Sequence, residues 1–289
     1  MKKDLSISPA TRLCAVIGNP VGHSLSPALH NAAFNELGLD FVYVAFRVED
    51  AGAALAGMRA LENFRGMSVT IPHKIEIMKH VDEILELDRS IGSINTVINE
   101  NGRLIGFGTD GPGALKALLD AGVTLEGANV LMLGAGGSAR AIAFTLARSA
   151  RLDRLVILGT NESRLGGLAA DLQAGTSSRI ESELLSDSSV ARAMAQADVI
   201  INCTPVGMHP QRDATLVPVG LFRPGQVVFD VVYTPLETRL LADARSRGLT
   251  VVSGVEMFIN QAVLQFERFT GVDAPVQVMR RVVMERLGL

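Results

Sequence analysis

The chain has 289 residues, 48% of them apolar and 20% charged, and a net charge of -3. That balance supplies a buried core and excludes a disordered chain, and the absence of any long Lys/Arg run argues against a nucleic-acid partner. No stretch approaches the roughly 18 uninterrupted apolar residues of a membrane span, and Met1-Lys2-Lys3-Asp4 lacks the apolar run of a signal peptide. Cys14 and Cys203 match no metal spacing, so the expectation is two reduced cysteines in a cytoplasmic protein without a metal site.

The length accommodates two domains, or one large one. In chain order the pattern predicts a strand at Leu13–Ile17, a helix at Pro27–Leu37, a strand at Phe41–Phe46, a helix at Ala51–Leu61 and a strand at Gly66–Ile71. Pro72 is expected to open a short helix, as proline at a first helical position does. Strands at Ile94–Ile98 and Leu104–Phe107 can pair across Asn101-Gly102, a hairpin signal. A helix follows at Asp110–Ala121, capped by Asp110 or Thr109. Asn129–Leu133 reads as a strand leading into Gly134-Ala135-Gly136-Gly137-Ser138-Ala139, and Ala139–Arg148 as a helix. Strands at Leu155–Leu158, Val199–Asn202, Val227–Val231 and Thr250–Val252 then alternate with helices, the cadence of a doubly wound parallel sheet. Thr176–Ser189, rich in serine, reads as a surface loop with short elements. Two final helices, Val255–Phe269 and Pro275–Leu287, have no strand after them and are expected to pack back on the first domain.

The Gly134-x-Gly136-x-x-Ala139 loop sits between a strand and a helix. Its glycines allow a tight turn and close approach of backbone amides to a pyrophosphate, and the helix N-terminus favours the anion. An NAD site would usually place Asp or Glu at the end of the next strand. Here that stretch is Gly159-Thr160-Asn161-Glu162-Ser163-Arg164. Gly159 cannot act as the acid, and Arg164 reads either as a partner for a 2′-phosphate or as a solvated helix residue.

The first half carries polar clusters at strand ends and turns: His23-Ser24-Leu25-Ser26-Pro27, Thr70 with Lys74, Asn95-Thr96, and Gly108-Thr109-Asp110-Gly111. Hydroxyls, amides and a lysine with an aspartate suit a small polyhydroxylated ligand. Oxidising an alcohol by hydride transfer needs a group to take the hydroxyl proton, and a lysine beside a carboxylate can do so. Each residue also has a plainer reading. Lys74 can be an ordinary first-turn helix lysine, and Asp110 or Ser26 a helix cap. His23, His30 and His73 read as packing or surface residues. The coincidence of clusters favours a site.

These residues resemble the shikimate dehydrogenase family over nearly the whole chain. The resemblance is carried by Gly18-Asn19-Pro20 through Ser24-Leu25-Ser26-Pro27 and His30-Asn31, by Val69-Thr70-Ile71-Pro72-His73-Lys74, by Gly92-Ser93-Ile94-Asn95-Thr96 and by Thr109-Asp110-Gly111. Asn202 to Met208, Asp230-Val231-Val232-Tyr233 and Gly254-Val255-Glu256-Met257 with Gln261 also fit. It implies reversible reduction of 3-dehydroshikimate to shikimate with NADPH, by an N-terminal α/β substrate domain (1–110, completed by 255–289) and a Rossmann NAD(P)-binding domain (111–254). It implies Lys74 as acid/base with Asp110 as partner, and substrate contacts from Ser24, Ser26, Thr70, Asn95, Asp110, Tyr233 and Gln261. Gly134, Ala135, Gly136, Gly137, Ser138 and Ala139 would hold the pyrophosphate; Thr204, Met208, Val231, Gly254 and Met257 would line the nicotinamide; Glu86 matches a weaker cofactor-side position.

Three departures stand out. Ser68 replaces an Asn that often precedes Val-Thr, and Gly108 replaces the usual Asn before Thr-Asp-Gly. Gly159-Thr160-Asn161 stands where Asn-Arg-Thr would clamp the adenosine phosphate. One arginine is lost there and Arg164 remains, so relaxed use of NADP or NAD is the expectation. Quinate or aminoshikimate are alternative substrates, differing from shikimate by a hydroxyl or an amine. A catalytically weak NAD(P)-binding regulator is the alternative of another class. Monomer and homodimer are equally compatible with the sequence.

Overall fold

A computed structural model of the chain describes residues 7–288. It divides into two compact units, one running to Thr109 and resuming at Gln261, the other spanning Asp110–Asn260. The first contains β1 (Arg12–Gly18), α1 (Ser26–Leu37), β2 (Phe41–Arg47), α2 (Ala51–Arg59), β3 (Phe64–Val69), β4 (Glu83–Ile84), α3 (Glu86–Ile91), β5 (Thr96–Glu100) and β6 (Arg103–Phe107). The second contains α4 (Asp110–Asp120), β7 (Asn129–Leu133), α5 (Gly137–Ser149), β8 (Arg154–Gly159), α6 (Glu162–Gly175), β9 (Arg179–Leu184), α7 (Asp187–Met194), β10 (Val199–Asn202), β11 (Val227–Asp230), α8 (Arg239–Ser246) and β12 (Thr250–Ser253). The division then falls inside α9 (Gly254–Thr270), and α10 (Val276–Arg286) closes the chain.

In the first unit the sheet order is β2-β1-β3-β5-β6-β4. β1 lies parallel to β2 and β3, and its run from Cys14 to Gly18 is buried, as a strand covered on both faces requires. The sheet is mixed rather than all-parallel, because β5 and β6 form an antiparallel hairpin beside β3. The expected turn is there: Asn101 and Gly102 both take positive φ, 54° and 88°. That is the geometry that matches strand twist in a two-residue hairpin. Ala15, Ile17, Phe64, Met67, Ile77, Ile94, Val97 and Leu104 form a core with Ala51 and Leu55 of α2. On the other side Phe34, Tyr43, Phe266 and Phe269 pack with His30 between α1, β2 and α9. Arg65 closes α9 by donating to the carbonyls of Arg268 and Phe269 and ties it to β5 through the Asn99 carbonyl. A cation is favoured at a helix C-terminus, where it meets the last carbonyls. α10 packs on α1.

The second unit is a parallel sheet in the order β12-β11-β10-β7-β8-β9, the order of the Rossmann fold. Its interior strands are short apolar runs, and helix starts are fixed by side-chain caps from Asn161, Ser186 and Thr238.

Three local expectations differ from the structure. Pro72 does not open a helix. The Ile71 carbonyl, which a helix would give to Ile75, accepts instead from Asn19 N at 2.9 Å; the first helix-type bond runs from Ile77 N to the His73 carbonyl, leading into a 3₁₀ turn at Glu76–Lys79. The Ile71-Pro72 peptide is cis. In Thr176–Ser189 the short elements are β9, in which Ile180 alone is buried, and the start of α7, so the segment is an edge strand more than a loop. An edge strand with outward charges at Arg179, Glu181 and Glu183 leaves little apolar pattern to read. Regular pairing of β5 begins at Thr96, because the Ile94 amide turns to the Lys74 carbonyl at 3.0 Å.

Candidate functional site

In the first unit, the lysine segment is held from both sides. Thr70 N bonds the Ile17 carbonyl at 2.9 Å, and the Thr70 carbonyl accepts from His73 N at 3.0 Å. His73 is buried with its Nε2 at 2.7 Å from the Val48 carbonyl, which accounts for it as a packing residue. Lys74 is half-buried, and its carbonyl is fixed by the amide of Ile94, next to Asn95. Lysine and asparagine segments are thereby registered on each other by backbone bonds.

Asn95 is buried and its orientation is set by its partners. Asn95 Oδ1 lies 2.7 Å from Thr109 N. A backbone amide can only donate, so the oxygen of the carboxamide faces it. Nδ2 then donates to Thr109 Oγ1 at 2.9 Å and toward Gln261 Oε1 at 3.4 Å. Asn95 just before β5, Thr109 just after β6 and Gln261 on α9 therefore form one polar cluster. Ser26 is buried and Ser24 half-buried; Ser24 Oγ accepts from Ser26 N at 3.3 Å. Ser26 is not a cap: it is the first residue of α1, followed by Pro27, and no side chain caps that helix.

The two first-unit departures have structural counterparts. Ser68 is buried and its hydroxyl lies 2.6 Å from Tyr43 Oη and 2.7 Å from Gln265 Oε1. At Gly108 a Cβ would lie 2.5 Å from Asp88 Oδ1. The buried Asp88 carboxyl of α3 takes the room a side chain at 108 would need, and the Gly108 amide donates to it. Burial pushes the Asp88 carboxyl above the usual range, opposed by that amide and by Arg268. Arg268 in turn lies over the Phe107 ring, 4.6 Å from its centroid, in cation–π contact.

In the second unit, the Gly-rich loop follows β7, where the strand order reverses to β10. Gly134 has φ of 109°, and a Cβ there would lie 3.1 Å from the Cys203 carbonyl. The loops after β7 and β10 thus approach backbone to backbone, which glycine permits and a side chain would not. α5 starts with Gly136 at its N-cap and no side-chain cap. A helix N-terminus without a side-chain cap at the switch point of a parallel sheet is the arrangement that takes a phosphate. Ala135, Gly137 and Ser138 are half-buried there, and Ala139 packs inward.

Val231 and Gly254 come directly after β11 and β12 and Thr204 two residues after β10, all at the C-terminal ends of neighbouring parallel strands. A Cβ at Gly254 would lie 2.5 Å from the Val231 carbonyl. Two residues quoted in sequence motifs but given no role organise these strand ends. Asn202 Oδ1 accepts from Thr204 Oγ1 at 2.6 Å, while its Nδ2 donates to Asp230 Oδ1 at 2.9 Å. Asp230 also accepts from Val232 N at 3.1 Å and Thr238 Oγ1 at 2.6 Å. Burial pushes Asp230 up to about 6 against these three donors. The thiol of Cys203 is pushed up by burial and then by the Asp230 and Asp110 carboxylates, which makes it a packing group rather than a nucleophile.

Asp110 is buried as the first residue of α4. Tyr233 stacks on Phe258 at 4.8 Å, and burial raises its phenol. Met257 is buried, Met208 exposed. Thr160, Asn161 and Arg164 are all exposed; Asn161 Oδ1 caps α6 by accepting from Arg164 N at 2.9 Å, and Arg164 forms no ion pair among the described residues. Glu86 is exposed in the first turn of α3, in the first unit. Gln265 was missed by sequence reading; its signal is its place one turn after Gln261. Among the described residues no His/Cys/Asp/Glu group could hold a metal, and no helix is long and apolar enough to cross a membrane.

Residues 16–97 match the family model of the shikimate dehydrogenase substrate binding domain, and 254–284 that of the shikimate 5'-dehydrogenase C-terminal domain. Residues 130–211 match the saccharopine dehydrogenase NADP binding domain. The chain is 43% identical to a shikimate dehydrogenase (NADP(+)) of Moorella thermoacetica, covering 98% of this chain and 96% of that one. A shikimate 5-dehydrogenase from Listeria monocytogenes, solved with shikimate and NAD, superposes with a TM-score of 0.89 at 34% identity, covering 96% and 98% of the two chains. A quinate dehydrogenase from Corynebacterium glutamicum, solved with NAD, gives 0.88 at 28% identity, covering 95% and 99%.

Proposed function

The chain belongs to the shikimate dehydrogenase family and is an oxidoreductase, and on that premise we propose that it interconverts shikimate and 3-dehydroshikimate with NADP or NAD. The single observation that carries the reading is the polar cluster of Asn95, Thr109 and Gln261, joined by backbone bonds to the segment of Thr70 and Lys74. It supplies a group of hydroxyl-binding side chains on the same backbone framework as Lys74, which is what a polyhydroxy acid requires.

Ser24 and Ser26 hold the carboxylate or a ring hydroxyl, Thr70, Asn95 and Gln261 hold hydroxyls, and the family motifs add Asp110 and Tyr233 as substrate contacts. Lys74 Nζ takes the hydroxyl proton as the alcohol is oxidised and returns it in reduction, with Asp110 as its partner; that partnership rests on the Thr109-Asp110-Gly111 motif. Stabilising the developing alkoxide and moving its proton are worth about 10²–10⁴ in rate. The α5 N-terminus and the loop from Gly134 to Ala139 hold the pyrophosphate, and Thr204, Val231, Gly254, Met208 and Met257 border the nicotinamide. When bound, the nicotinamide nucleotide supplies the hydride acceptor. Arg164, exposed and without an ion pair among the described residues, is the cation left to meet a 2′-phosphate, with Thr160 and Asn161 beside it; Glu86 is assigned only a peripheral cofactor-side place.

Quinate is the second reading, favoured by the likeness to the quinate dehydrogenase. Purified protein is mixed with shikimate, quinate or aminoshikimate and either nucleotide, and nicotinamide reduction is followed. Shikimate with NADP is expected to turn over. Turnover of quinate alone replaces the substrate assignment, and turnover of none refutes the enzyme reading.

A further inference from the structure

The Gln265 carboxamide is 1% exposed and uses both ends. Nε2 lies 3.2 Å from the Asn95 carbonyl. A carbonyl can only accept, so the amide's orientation is fixed with nitrogen on that side. Nε2 also donates to Thr96 Oγ1 at 3.0 Å. Oε1 therefore faces Ser68, whose hydroxyl donates to it and accepts from the Tyr43 phenol. Thr96, having accepted from Gln265, gives its own proton to Asn95 Oδ1 at 3.2 Å. The Asn95 carbonyl receives a second donor, Val69 N, at 2.8 Å. The direction of every proton from Tyr43 to Asn95 follows from Gln265.

We propose that Gln265 is a positioning and specificity-determining residue of the polyhydroxy-acid site: from α9 it holds the Asn95 backbone and turns the Thr96 hydroxyl onto Asn95 Oδ1, and it holds β3, which leads into Thr70 and Lys74. Ser68 gives its hydroxyl proton to this network rather than to substrate. The proposal rests on the reading of Asn95 as a substrate ligand. It also accounts for the serine at 68. A longer amide at 68 would reach into the space of the Gln265 carboxamide, 2.7 Å from the present hydroxyl. Amide at 265 with hydroxyl at 68, or amide at 68 with a small residue at 265, are the two arrangements that fill the volume once.

The test compares wild type, Gln265→Met, Gln265→Ala, Ser68→Asn and the double variant Ser68→Asn/Gln265→Ala. Gln265→Met conserves volume and removes the hydrogen bonds. It should raise KM for the polyhydroxy acid about 10- to 100-fold, the cost of buried polar groups left without partners. KM for the nicotinamide nucleotide should stay within about twofold. The double variant should regain much of what each single variant at its two positions loses, the non-additivity of contacting residues. A substrate KM unchanged in Gln265→Met, both KM values rising together, or additive losses in the double variant would overturn the proposal. Wild type that turns over none of the three polyhydroxy acids would defeat the functional reading and this one together; an unaffected variant of an active wild type defeats this one alone.

Discussion

Lys74 owes its candidacy to the backbone more than to its own side chain. Its carbonyl is bonded by the residue beside Asn95, so the amine is carried on the same framework as the amides that would hold hydroxyls. The coenzyme end depends on residues of another kind. Thr160 stands exposed beside the α6 cap, where an arginine would present a planar, bidentate phosphate donor. Thr160→Arg should therefore raise the ratio of kcat/KM with NADP to that with NAD by about tenfold or more, the scale of one charge-assisted contact. An unchanged ratio would show that this position does not meet the 2′-phosphate.

Among elements, the β7–loop–α5 unit shows how a short sequence sets a site. Gly134 needs positive φ and sits against the Cys203 carbonyl. Gly134→Ala places a methyl in both a strained backbone and an occupied space. It should weaken nucleotide binding by about tenfold, the scale of ~1–2 kcal/mol for left-handed backbone in a non-glycine residue. Substrate KM at saturating nucleotide should be little affected. Titration calorimetry with NADP checks it, and unaltered affinity would contradict the role of the loop. This loop was legible in the sequence because glycine spacing reports backbone need directly. β9 was not, because an edge strand carries its charges outward and buries one side chain. Pro72 was misread for a related reason: proline is compatible with a first helical turn, but the Ile71 carbonyl is already taken by Asn19, a contact between distant segments. Gln265 and Asp230 were invisible as site residues because their importance lies in which groups they join, and those come from other strands and helices.

At the scale of the molecule, stability against acid should be set in part by the first unit. His30 lies fully buried and stacked on Tyr43 with ring centroids 4.4 Å apart, and among the described residues neither ring nitrogen has a hydrogen-bond partner at bonding distance. Burial lowers it to about 3 from 6.5, opposed by the nearby Gln265 side chain. The unfolded chain then takes up a proton below about pH 6.5 that the folded chain refuses until near pH 3, so stability falls as pH drops through that window. His30→Phe removes this linkage. Relative to wild type it should gain up to a few kcal/mol between about pH 6.5 and about pH 3.5, measured by denaturant unfolding at several pH values. A gap between the two proteins that does not widen toward acid would contradict the buried neutral imidazole.

The first unit carries the polar cluster of Asn95, Thr109 and Gln261, and the second a Rossmann sheet with a helix start that no side chain caps. The most direct test is the steady-state rate with shikimate and NADP for wild type and Lys74→Ala, with NADP affinity measured alongside. Wild type should turn over, the variant should have a kcat lower by about 10²–10⁴-fold, and its NADP binding should stay within about twofold of wild type. A variant that keeps its kcat would contradict the assignment of proton transfer to Lys74.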